Sequence, residues 1–499
     1  MKMIYNVKDK PKFGQLIIFA FQQLLAIMAA TIAVPMIIGN GMSTSAALFG
    51  AGIGTLVYVL FTKAKSPVFL GSSFAFLGAM FAAFAGATSA GLGYVGLIIG
   101  AVFAGLVYVV IALIVKFAGV KWINKIMPAV VIGPIVAIIG LSLAGNAIGD
   151  LTKVNYTAPV DMAQVQVVEV DTVNEDGTIT PTSVAVNEDG TVNESVTLTP
   201  DENGNLTATT QPGSPYVAII CGLVTLAVVM LCSVYGKKMA RLIPFIIGIL
   251  AGYLVATIFY FIGKATGNAA LMVIDYSALI NNFKVIGVSS FIAVPDFSFL
   301  KAFGAFGELN GAYIGTIAAA YVPVAFVVFA EHIADHKNLS SIIEHDLLED
   351  PGLSRTLLGD GIGSMAGAFF GGCPNTTYGE SIGCVAITKN ASVNTIIVTA
   401  CEAIIISFIA PFVAFLSTIP SCVMGGVCIA LYGFIAVSGL KMLQKVDLDD
   451  NRNLFTASVI LITGVGGFIL TFGTITITTV ACALILGILT NIMLSKKKA

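Results

Sequence analysis

The sequence predicts an all-α polytopic membrane protein, with fourteen transmembrane segments in a 7+7 inverted repeat and one strand-rich extracellular insert. Three observations predict it. Of 499 residues, 57% are hydrophobic and only 10% charged, and mean hydropathy is +0.95; soluble chains carry about 45–50% and about 25%. The apolar residues form blocks that match the roughly 20 residues a helix needs to cross a hydrocarbon core. Lysine and arginine fall between these blocks with a strong bias to one side.

Lys2, Lys8, Lys10 and Lys12 precede the first block, 14–38, which is about 25 residues long. It exceeds a signal-peptide core and lacks a clear small-residue cleavage site, so it reads as a retained span. Further spans fall at 45–62, 66–86, 90–115, 124–147, 216–234, 241–263, 311–333, 359–373, 376–390, 393–418, 421–440, 454–472 and 475–495. The segments at 66–86, 359–373 and 376–390 are short or rich in Gly, Ser, Thr and Pro, and hydropathy alone marks them weakly. Charge tests the count. With a cytoplasmic N-terminus, 21 basic residues lie inside, and Lys153, Lys264, Lys284 and Lys301 lie outside. The positive-inside rule predicts that asymmetry. It supports an even number of spans and a multi-pass protein of the cytoplasmic (inner) membrane with both termini cytoplasmic.

Residues 150–215 depart from this pattern, with eleven acidic groups and one lysine. Val-Asn-Glu-Asp-Gly-Thr occurs at 173–178 and again at 186–191, and Asp-Gly between Thr/Val runs marks hairpin turns. The stretch reads as a small external flap, either a partner surface or, the favoured reading, a tolerated insertion. The chain thus divides into 1–148 (N-terminal segment and spans 1–5), 149–215 (insert), 216–310 (spans 6 and 7 with an external connection) and 311–499 (spans 8–14 and a short tail). A net charge of −2 gives no reason to expect nucleic acid. The eight cysteines sit mostly in apolar blocks without metal-type spacing and read as small buried hydrophobes, so no metal and no cofactor are expected.

A charge at mid-membrane costs roughly 2.5–3.5 kcal/mol, which makes each one a functional candidate. Glu331, Glu380 and Glu402 qualify. Glu331 closes an apolar run and lies four residues before Asp335, on the same helical face; Asp335 and His336 also fit a helix end in water. Glu380 lies in Gly-Gly-Cys-Pro-Asn-Thr-Thr-Tyr-Gly-Glu-Ser-Ile-Gly (371–383), where Pro374 and the glycines oppose a continuous helix. The first half holds a counterpart in Ser66-Pro67 followed by Gly71-Ser72-Ser73-Phe74. Each reads as a short extended run and then a half-helix. These are the third and tenth segments, equivalent positions of two sets of seven, and an odd number per set inverts the second. Broken helices leave free N–H groups at membrane depth and are tolerated only where they line a cavity or are buried in protein. Glu402 reads either as a proton relay or, preferably, as a structural helix–helix hydrogen bond.

On Gly71–Phe76, Ala330-Glu331-His332, Asp350-Pro351-Gly352, Pro374–Glu380, Val423–Gly426 and Tyr432-Gly433, the chain resembles the nucleobase–cation symporters of the nucleobase–ascorbate transporter family, the bacterial uracil permeases in particular. The resemblance covers nearly the whole membrane part and excludes the insert. It implies a core domain of spans 1–4 and 8–11, a gate domain of spans 5–7 and 12–14, and short β-strands in segments 3 and 10. It further implies that Glu331 and Glu380 hold the base, that backbone at Phe74 and Gly379 hydrogen-bonds it, and that Ala30, Tyr378 and Tyr432 pack around it. Members are often homodimers, so a second copy is an implied partner. Three positions depart from the family pattern: Gln22-Gln23 where relatives have Gln-His, Asp335 where some have His, and Ser381 where Asn is usual.

The chemistry fits independently. Uracil is a flat neutral ring with two N–H donors and two carbonyl acceptors. Carboxylates accept from the former, half-helix N–H groups and a hydroxyl such as that of Ser73 suit the latter, and Phe74 or Tyr378 can cover the ring face. A carboxyl moved out of water favours its protonated form, and nearby negative charge adds to this. Glu380 first, then Glu331 and Asp335, are therefore candidates for a co-transported proton. The expected activity is uracil:H⁺ symport by alternating access. The rivals are a xanthine or other purine permease of the same family and, more remotely, an anion transporter of the same fold. No Gly-x-Ser-x-Gly, metal quartet or phosphate loop suggests an enzyme.

Overall fold

The computed structural model describes residues 3–119, 128–162, 165–173, 179–186, 192–193, 196–200, 206–237, 239–472 and 475–495. Lys2, Lys121, Lys125, Lys238, Lys496, Lys497 and Lys498, and most of both Val-Asn-Glu-Asp-Gly-Thr repeats, lie outside the described residues. Among the described residues, eight helices are long and apolar enough to cross a membrane: Phe13–Ile38, Thr44–Phe61, Ala90–Ala118, Ala129–Leu151, Pro215–Tyr235, Pro244–Thr266, Gly311–Ile343 and Ser421–Leu443. They are spans 1, 2, 4, 5, 6, 7, 8 and 12. Shorter or more polar helices supply the rest: Leu77–Ala85 (span 3), Leu353–Gly371 (9), Gly379–Thr388 (10), Val393–Ser407 with Ala410–Ser417 (11), Asn451–Val465 (13) and Thr479–Ser495 (14). The protein is a 7+7 membrane fold.

Packing divides the helices into two groups. Span 2 packs on 9 and 11, span 4 on 8 and 9, and span 1 on 11. Separately, span 12 packs on 5 and 6, span 6 on 7, and span 13 on 5 and 14. These are the core and gate domains. Spans 2 and 9 in the core, and spans 5 and 12 in the gate, are repeat-equivalent pairs that pack on one another. In the core, Gly54 of span 2 and Gly363 of span 9 meet backbone to backbone, so that a Cβ on either would lie 2.7 Å from the other's carbonyl oxygen. Small residues at such crossings let helices approach closely where lipid provides no hydrophobic drive.

The third and tenth segments are broken as expected. β1 (Leu70–Ser72) and β7 (Asn375–Thr377) pair antiparallel, with Leu70 opposite Thr377 and Ser72 opposite Asn375. Every residue of both strands is buried. Non-helical backbone at membrane depth must satisfy itself within protein, and here it does. Ser73 N–H donates to Pro374 O at 2.9 Å, Tyr378 N–H to Phe69 O at 3.2 Å, and Leu70 N–H to Thr55 Oγ1 at 2.9 Å.

Several boundaries differ from expectation. Span 8 does not end near 333; its helix continues to Ile343, so Asp335 and His336 are internal to it. His336 is buried rather than in water, within 2.6 Å of the Tyr58 hydroxyl. Spans 13 and 14 are not helical throughout. Gly467, at φ +69°, follows the first, and the Thr/Ile alternation beyond it forms the hairpin β8 (Leu470–Phe472)–β9 (Ile475–Ile477). At the polar edge, Lys65 Nζ meets Asp350 Oδ1 at 2.5 Å, and this hydrogen bond holds the exposed Asp350 carboxyl below its usual range.

The insert is strand-rich. β3 (Gln166–Val173) and β4 (Ile179–Val186) form a hairpin, and β2 (Ala158–Val160), β6 (Leu206–Thr210) and β5 (Val196–Pro200) form a three-stranded sheet in that order. Val160 lies opposite Ala208. Replacing residues 161–207 by Asn-Gly, a two-residue hairpin turn, is therefore expected to leave the membrane part folded. Monodisperse elution in detergent checks this; aggregation would show that the insert supports the fold.

Candidate functional site

The strand crossing sets two half-helices end to end at mid-fold. Span 10 starts at Gly379 from an extended Tyr378 (φ −104°, ψ 124°), and no side chain among the described residues caps it. Span 3 starts from an extended Ser73 (φ −82°, ψ 122°) through a short 3₁₀ turn, Phe74–Phe76. Gly71 is required here, because a Cβ on it would strike the Tyr378 ring. Packed over Gly71, Tyr378 donates its hydroxyl to Ser72 O at 2.8 Å.

Between these half-helices and the gate lies a cavity of about 420 Å³. Ser73, Phe74, Glu331, Asp335, Tyr378, Gly379 and Glu380 line its core side. The sequence-derived candidates thus converge from spans 3, 8 and 10. Two do not reach the wall. Ala30 is buried in a cluster with Phe69 and Tyr378, behind the lining. Tyr432 sits edge-on to Phe74, ring centroids 6.2 Å apart, while its neighbour Leu431 lines the cavity. Glu402 is elsewhere, on span 11. Its Oε2 has no hydrogen-bond partner among the described residues, so this oxygen does not form the helix–helix hydrogen bond expected of it.

Other wall residues escaped the sequence reading. Val136, Ile139, Phe245, Leu431, Phe434 and Ile435 form an apolar gate side. Thr377 Oγ1 donates to Asp335 Oδ2 at 2.7 Å, fixing one carboxylate to β7. Ser73 Oγ and Thr376 Oγ1 are buried without a hydrogen-bond partner among the described residues. The arrangement therefore offers three carboxylates, half-helix N–H groups and an aromatic face, with the two buried hydroxyls just behind the wall. No lysine or arginine is among the described lining residues.

Behind the wall, two of the departures from the family pattern meet. The Gln23 side-chain amide donates to Ser381 Oγ and, at 3.2 Å, to Ser381 O. Ser381 Oγ also accepts from Phe69 N–H at 3.0 Å. One hydroxyl thus joins span 1, the residue leading into β1 and the half-helix bearing Glu380. Ser381→Ala leaves two buried donors short of an acceptor, a loss of about 1–3 kcal/mol. Its melting temperature in detergent is expected to fall; an unchanged value would show that the junction contributes nothing. A second buried network, His332 Nδ1 to Asp360 Oδ2 at 2.6 Å and His332 Nε2 to Thr356 Oγ1 at 3.0 Å, ties span 8 to span 9.

Comparison with known proteins bears on this site. A sequence profile described as a permease family matches residues 14–174 and 210–472. The chain is 36% identical to the uracil permease of Bacillus caldolyticus over 498 residues, covering 99% of this chain and 95% of that protein. It is 34% identical to the uracil permease of Bacillus subtilis (strain 168), covering 100% and 96%, and 32% identical to that of Escherichia coli (strain K12), covering 97% and 92%. Among solved structures, the transmembrane domain of a cyanobacterium bicarbonate transporter, BicA, superposes with a TM-score of 0.58 at 15% identity, covering 97% of this chain and 100% of that one. SLC26A9 superposes at 0.57 and 10% identity, covering 97% and 66%. These structural likenesses concern the fold alone. The family profile and the near full-length relatives together establish that this multi-pass membrane protein belongs to the permease family of nucleobase–ascorbate transporters.

Proposed function

We propose that this chain carries uracil across the cytoplasmic membrane by symport with protons, both termini lying in the cytoplasm. The observation that carries the reading is the convergence of Glu331, Asp335 and Glu380 on one cavity walled by both broken spans. The name shared by the relatives supplies the substrate. Glu331 and Glu380 accept from the ring N–H groups. The N–H groups at Phe74 and Gly379 and the hydroxyls of Ser73 and Thr376 are the donors for its carbonyls. Tyr378 and Phe74 cover the ring, with Tyr432 and Ala30 as backing.

Uracil is neutral, so the membrane potential does no work on it alone. A proton taken up on Glu380, or on Glu331 or Asp335, supplies one charge, worth about 2.3 kcal/mol per 100 mV. Core and gate then rock about the bound base, exposing the cavity to either side in turn. A second copy of the chain as a dimer partner belongs to the same reading. The bicarbonate transporter of the same fold raises an anion as cargo, but three carboxylates and no described cationic lining residue disfavour one. The test is labelled uracil uptake into proteoliposomes with an imposed inward proton gradient, competed by xanthine. Gradient-dependent uptake blocked by uracil and not by xanthine supports the reading; xanthine competing better would make it a purine permease.

A further inference from the structure

The connection between spans 7 and 8 is not built like an aqueous loop. It contains a helix, Ser277–Lys284, a 3₁₀ turn, Val288–Ser290, and a short helix, Ser298–Ala302. Val285, Ile286, Val288, Phe291, Ile292 and Val294 are each exposed by 55–80%. Lys284 is the only ionic side chain from 277 to 294. Soluble surfaces rarely carry so contiguous an apolar patch without a partner.

The connection is also deep. Its anchor is Ala293, whose N–H donates to Phe408 O at 3.0 Å, while Ala410 N–H donates to Phe291 O at 3.0 Å. Phe408 follows the helix Val393–Ser407, which starts four residues after Lys389. Fifteen residues at 1.5 Å each place this junction about 22 Å along span 11. The hydrocarbon core is about 30 Å thick, so a span that starts at its inner edge beside Lys389 brings this junction to within about 8 Å of the outer edge. The exposed face of span 11 beside it, at Ile405, is 62% exposed and continues the patch.

Hydrogen bonds give the connection a defined shape. Asn282 Nδ2 donates to Ser290 O at 2.9 Å, Ser290 Oγ to Val285 O at 3.0 Å, and Gly287 N–H to Ser290 Oγ at 3.2 Å. Lys301 Nζ turns back to Asp296 and to Gly41 O, each at 2.5 Å. Asn155 N–H donates to Val273 O and Ser214 N–H to Ala270 O, so the connection lies on the insert's side of the membrane.

We propose that residues 277–294 form a ledge at the headgroup–acyl boundary of the leaflet on the insert's side, with its apolar side chains inserted among the lipid chains. The ledge joins a gate span to a core span while resting on span 11.

The test uses full-length protein in phosphatidylcholine liposomes, with Trp122→Phe removing the one tryptophan. Val288→Trp and Phe291→Trp then report the ledge separately, so that failure of one to fold leaves the other. Emission from each is expected to fall about twofold or more in acyl-brominated lipid, as for a side chain within the acyl boundary, and to change little with aqueous iodide. Quenching by iodide would make the segment an aqueous loop. Quenching by neither would mean that protein, such as a second copy, covers it. Either result overturns the proposal.

Discussion

Glu380→Gln is expected to abolish uphill accumulation of uracil while leaving exchange of uracil across the membrane. The substitution keeps the shape of the side chain and removes its capacity to carry a proton. At 100 mV and one pH unit, one proton supplies about 2.3 plus about 1.4 kcal/mol, an accumulation ratio of roughly 500. In the variant the ratio should approach unity at both acid and neutral pH. Exchange of labelled for unlabelled uracil, which needs no net proton movement, should persist at reduced affinity. Accumulation at the wild-type level would remove Glu380 from the proton role and leave Glu331 or Asp335, which share the cavity.

Glu331→Ala acts on binding. It removes an acceptor for a ring N–H and leaves that donor unpaired in a buried site. A hydrogen bond to a charged group contributes about 1.5–3 kcal/mol, so affinity should fall roughly 10- to 150-fold. Equilibrium binding of labelled uracil in detergent reads this directly, without any gradient. Unchanged affinity would reject the assignment. The geometry makes the variant a fair test. Glu331 lies within a helix that runs on to Ile343, and the neighbouring contacts of His332 and His336 are made by other side chains.

Much of this was legible in the sequence, for identifiable reasons. Apolar blocks declare spans because lipid demands them. The two broken segments were visible because Pro67, Gly71, Pro374 and Gly379 oppose continuous helix, whatever their neighbours. The carboxylates stood out because charge in an apolar run is costly. The far end of span 8 was hidden by the same logic. His332, Asp335, His336 and Lys337 look like a helix leaving the membrane, and partners from other segments, among them Asp360, Thr356, Thr377 and Tyr58, hold the first three within the fold. The gate wall was illegible for another reason. Ile139, Phe434 and Ile435 are apolar residues on apolar helices, and nothing local separates a cavity wall from a lipid face. The Gln23–Ser381 contact spans 358 residues; each position alone read as a departure from the family pattern, and together they form one junction.

The central claim is that carboxylates from spans 8 and 10 receive the two ring N–H groups of uracil. Competition of labelled uracil binding by 1-methyluracil and by 3-methyluracil tests it most directly, since each analogue lacks one of those donors and adds a methyl at the contact. Each is predicted to compete at least about tenfold more weakly than uracil, as loss of a hydrogen bond to a charged group requires. Competition by both at the strength of uracil itself would contradict the claim.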